Sequence, residues 1–141
     1  MGQDWQYQIR FRLDEKRAAI ARKNPRDPAL KPITDILERH NAIARSQYDA
    51  FAAYVSEAEK EGVEHYPLYR WTKATIEDPA KKAKHSTSFA VLVDGVEVYN
   101  KAVADALEAD LRPLADSGLI LSVSRHDTNP ASSPQIPEQF R

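Results

Sequence analysis

An α+β domain is what this chain predicts, on three observations. Residues 5–13 alternate strictly: Trp5, Tyr7, Ile9, Phe11 and Leu13 are apolar, and Gln6, Gln8, Arg10 and Arg12 lie between them. Successive strand side chains point to opposite faces, so this stretch has one apolar face for a core and one polar, cationic face. Asp94-Gly95 separates two β-prone runs, residues 87–93 and 96–99. That is a hairpin signal, because both turn residues tolerate positive φ. Finally, Ile33, Leu37, His40, Ala44, Tyr48, Phe51, Val55 and Ala58 recur in steps of three and four, the period of a helix.

The elements follow in order. After the first strand, residues 14–23 read as a short helix around Ala18, Ala19, Ile20 and Ala21, and the prolines at 25 and 28 break it. One long helix is expected from Pro32, which suits a first turn, to Gly62, a C-terminal stop. It would measure about 45 Å against a domain diameter below about 40 Å, so it bends near His40-Asn41 or projects toward a partner. Residues 65–76 read as a second strand from their β-prone content, at an edge because of Pro67. Residues 77–86 read as a polar loop. Residues 87–93 form the third strand, and 96–99 either return as a hairpin arm or lead into a helix capped by Asn100 and ended by Gly118. Residues 119–125 make the last strand. The simplest closure is a ferredoxin-like split βαβ sandwich, a four- to five-stranded, mainly antiparallel sheet with helices on one face. Residues 1–125 then form a single domain, and the Pro-rich segment 126–141 a flexible tail.

Composition narrows the function classes. With 141 residues, 42% hydrophobic and 29% charged, the chain is an ordinary globular domain. No run reaches the roughly 18 apolar residues of a membrane span, and the N-terminus lacks the basic and apolar regions of a signal peptide. With no cysteine, there is no disulfide, thiolate metal site or cysteine nucleophile. A cytoplasmic location is expected. The net charge of −1 names no partner. Residues 1–31 carry a positive surplus and residues 32–65 a negative one, which reads as opposite blocks neighbouring each other in the fold.

No motif carries chemistry. The four histidines form no pair at metal-ligand spacing, phosphate-loop glycines are absent, and the Ser124–His126–Asp127 proximity lacks a nucleophile elbow. No cofactor, metal or catalytic residue is assigned. The polar face of the first strand offers Gln8, Arg10 and Arg12, and the expected second strand adds Tyr69, Trp71 and Lys73 on one parity. The leading expectation is a non-catalytic module binding a protein partner or a second copy of itself through that exposed sheet face. The alternative is a small-molecule-binding domain or weakly signalled enzyme with a pocket at His40 and Tyr48. Cations interleaved with aromatics also suit single-stranded nucleic acid, the third reading.

Overall fold

Strand β1 (Tyr7–Arg12) forms where the alternation puts it, in a computed structural model that describes residues 6–128 and Gln139. Trp5 lies outside the described residues. The chain continues through α1 (Glu15–Lys23), α2 (Lys31–Arg39), β2 (Ala42–Ser46), α3 (Gln47–Glu61), α4 (Tyr69–Glu77), α5 (Pro79–Ser86), β3 (Ser88–Val93), α6 (Lys101–Asp116) and β4 (Ser122–Asp127). The fold is α+β. Its four strands pair antiparallel in the order β2-β3-β1-β4, so β1 and β3 are central. Among the described residues, no helix is long and apolar enough to cross a membrane.

Ile9, Phe11 and Leu13 are buried against Ile33, Ile36 and Leu37 of α2 and Ala104, Leu107 and Leu111 of α6. Phe11 stacks on Phe89 of β3 at 5.6 Å. Tyr99 completes this layer in an unusual way. Its hydroxyl accepts from Ile9 N–H at 2.7 Å and donates to Val91 C=O at 2.9 Å. A side chain thus satisfies two backbone groups of the central strands just beyond the paired register of β1 and β3.

Several expectations are corrected. The long helix is two helices with a strand between them. Asn41 turns the chain with φ of 50°, a left-handed conformation that asparagine tolerates, and β2 follows. Its inward residues are Ala42, Ala44 and Ser46, too small to announce a strand by hydrophobic alternation. Residues 65–76 do not form a strand. They hold a 3-10 turn (Val63–His65) and then α4, in which Tyr69 and Lys73 lie one turn apart and both reach Glu59 of α3. The loop expected at 77–86 is α5: the Asp78 side chain accepts from Ala80 and Lys81 N–H, and Pro79 occupies the first turn. The last strand starts later than expected, because Gly118 (φ 85°) and residues 119–121 first wrap the end of α6. Ile120 is buried there and Leu121 is exposed.

The Asp94-Gly95 turn forms with both φ positive, but its return arm makes only single bridges, Val93 to Val96 and Tyr7 to Tyr99. Pro113 sits inside α6 without ending it. Strand β4 runs on through His126 and Asp127, and of the segment beyond Thr128 only Gln139 is described. The helices do not all lie on one face. Helices α3, α4 and α5 pack on one another, and Gln47 and His85 of this unit come over Arg10 on the polar side of the sheet.

Candidate functional site

A cleft of about 890 Å³ lies between the polar face of the sheet and the three-helix unit. The register of β1 on β4 places Gln8 beside His126 and Arg10 beside Ser124, so Arg10 and His126 belong to one face and form the floor. Helix α3 begins directly after β2, capped by Ser46, whose side chain accepts from Asp49 N–H. That start delivers Gln47 and, one turn on, Phe51 to the cleft. Helix α4 supplies Trp71, Thr72 and Thr75, with Leu68 just before it. Helix α5 supplies His85 and, at the exposed rim, Lys81 and Lys84.

Arg10 is half-buried and has no carboxylate partner among the described residues. Its Nε donates to Gln8 Oε1 at 2.6 Å. The Gln47 amide fits between Arg10 and His85 in one orientation. Its carbonyl then accepts from Nε and Nη1 of Arg10 at 3.0 and 2.8 Å, and its N–H donates to His85 Nδ1 at 3.2 Å. Both partners of Arg10 are neutral amides, so burial holds its guanidinium below the ordinary arginine pKa.

The two imidazoles respond to the same surroundings. Burial, followed by the charges of Lys84, Arg10 and Lys81, holds His85 below the ordinary histidine value. Partial desolvation and then Arg10 also lower His126, whose side chain stays exposed at the floor, with Asp127 opposing them. Both shifts favour the neutral imidazole. Phe51 meets the His85 ring edge-on at 5.0 Å, and Ser124 Oγ lies 3.1 Å from His126 Nε2. The cleft thus combines a desolvated cation, neutral imidazoles beside it, and an aromatic wall of Trp71 and Phe51. That set can hold an anionic group against a flat apolar body.

No protein-family model, no curated protein and no solved structure matches this chain. The cleft is accordingly read from its own residues.

The structure brings together some of the expected site residues and separates others. Arg10 and Trp71 share the cleft, although Trp71 reaches it from a helix. Gln8 supports Arg10, and its Nε2 donates to Glu97 C=O at 3.0 Å. Arg12 is exposed and does not line the cleft. Tyr69 and Lys73 form a separate surface cluster, both bonded to Glu59, which holds the Lys73 ammonium above its ordinary pKa. Neither His40 nor Tyr48 lines this cleft. His40 Nε2 lies 2.7 Å from Asp110 Oδ2, tying the end of α2 to α6. Tyr48 lies under Arg22 at 5.1 Å and Lys82 at 5.3 Å.

Sequence reasoning missed Gln47, Phe51, His85 and His126 as site residues. Only His126 carried a signal: it shares the polar parity of Ser122 and Ser124 in an alternating strand. Nothing local marks Gln47 or His85, since 38 positions separate them and the fold alone joins them.

Proposed function

We propose that this chain is a small-molecule-binding domain that takes an anionic ligand with a flat apolar body in the cleft between sheet and helices. The observation that carries the reading is Arg10, a half-buried guanidinium whose partners among the described residues are amides. Buried charges are normally paired, because removing them from water costs more than neutral hydrogen bonds return. A guanidinium fork matches carboxylate, sulfonate and phosphate oxygens, and Trp71 and Phe51 offer apolar faces to the rest of the ligand. The site is placed on a sheet we read as the split βαβ, ferredoxin-like arrangement. The central position of β1 and β3 supports that reading; its departure is that α3, α4 and α5 stand where a hairpin would join β2 to β3.

Calorimetric titration with naphthalene-1-sulfonate tests the binding reading. One saturable site is expected. Arg10→Gln should weaken it at least about tenfold, the loss of one charge-assisted contact, and Arg12→Gln should leave it unchanged. Equal affinities for wild type and Arg10→Gln, or no binding at all, would overturn the reading.

A self-associating module remains a second reading, favoured by one observation. Ile43 on edge strand β2 is 60% exposed on the same sheet face as Leu92, and Val96 nearby in sequence is 52% exposed. Sedimentation across a concentration series decides it: a monomer at every concentration removes it.

A further inference from the structure

We propose that anion binding at Arg10 is coupled to proton uptake at His85 through a half-turn of the Gln47 amide. The inference rests on the binding reading above and adds a mechanism to it. With the amide turned so that both neighbours are satisfied, the Gln47 carbonyl faces Arg10 and its N–H faces His85 Nδ1. A neutral imidazole with its proton on Nε2 accepts that N–H. An imidazolium cannot, because both of its ring nitrogens are donors, and Nδ1–H would meet the amide N–H head-on. Turning the amide cures that clash but points N–H groups at the Arg10 guanidinium, which has no acceptor. While Gln47 serves Arg10, it therefore holds His85 neutral.

An anion changes the arrangement. Its oxygens take over the N–H groups of Arg10, and the Gln47 carbonyl is released. The amide can then turn, accept from His85 Nδ1–H and stabilise the imidazolium, whose Nε2–H and charge also favour the anion. The surrounding groups fit this sequence. From α5, Lys81 and Lys84 oppose the charge on His85 until an anion offsets them. Helix α4 contributes Trp71, Thr72 and Thr75, and α3 contributes Phe51; none of these titrates near neutrality. From β4 come His126, which feels Arg10 directly without Gln47 between, and Asp127. Helix α1, packed on α5, directs Arg22 to Asp49. Affinity should therefore rise as pH falls through the range where His85 titrates in the complex, and be lost as pH rises above it.

Proton NMR of the histidine Hε1 signals, assigned with His85→Gln, tests the coupling. Titrations from pH 8 to 5 are run with and without saturating naphthalene-1-sulfonate, whose own charge is constant over that range. The His85 midpoint should rise by about one pH unit on binding, a tenfold linkage, and by more than the His126 midpoint. In Gln47→Met the His85 rise should shrink to that of His126, which reports direct charge alone. A His85 midpoint that stays fixed in saturated wild-type protein overturns the coupling, as does a rise unchanged by Gln47→Met or no larger than that of His126. Those results leave the binding reading standing. Failure of the probe to bind at any pH overturns that reading instead.

Discussion

Two side chains show how much rests on single groups in this sheet. Tyr99 bridges Ile9 N–H and Val91 C=O inside the core, so Tyr99→Phe leaves both groups buried without it. A loss of about 1–3 kcal/mol is expected, the cost of stranded buried polar groups, read from urea unfolding at pH 7. Unchanged stability would mean that the strands re-pair without the hydroxyl. Arg10 predicts the opposite pattern. It sits in a desolvated place where its partners among the described residues are amides, so Arg10→Met should lower stability by no more than about 1 kcal/mol and can raise it, while probe binding disappears. Arg10 was legible in the sequence because alternation fixes which face a strand residue takes. Trp71 was singled out for its chemistry but assigned to the wrong element. Gln47 and His85 were illegible, since their role comes from meeting Arg10 across the fold.

At the scale of elements, legibility depended on the size of the inward-facing residues. Large ones made β1 and α6 readable; Ala42, Ala44 and Ser46 hid β2 inside an apparent helical repeat. The boundary did carry a signal, in the capping pattern of Ser46 and Asp49. Ser46 Oγ accepts from Asp49 N–H at 3.0 Å and donates to Asp49 Oδ2 at 2.7 Å. Ser46→Ala should cost about 0.5–2 kcal/mol. Asp49 also receives two hydrogen bonds from Arg22, at 3.0 and 2.8 Å. Those bonds first, and Ser46 after them, hold its carboxyl below the usual range. A depressed carboxylate pKa adds stability that is complete above the unfolded value near about 3.9 and is lost as pH falls through the folded value. Wild type should therefore lose more stability than Asp49→Asn between pH 6 and pH 3. Parallel urea midpoints at the two pH values would show that Arg22 and Asp49 do not act as a pair.

Across the whole molecule, the opposite charge blocks do lie against each other, as Arg22 with Asp49 and Arg26 with Glu38 show. That placement draws α1 toward the start of α3 and so helps set the helical unit over the sheet. The unit itself is thinly anchored. Among its described residues, α5 buries none and α4 only Thr75, whereas α6 buries Ala104, Leu107 and Leu111. Local opening is cheapest where few groups are buried, so the backbone amides of α5 should exchange with solvent well before those of α6. A ligand in the cleft touches the sheet and the unit together, and it stabilises the closed arrangement by mass action. At one hundred times its dissociation constant, naphthalene-1-sulfonate should add about 2.7 kcal/mol to unfolding and slow exchange in α4 and α5. Arg10→Met should show neither effect at the same concentration. Slowed exchange confined to α2 and α6 would place the ligand on the opposite face of the sheet, away from Arg10.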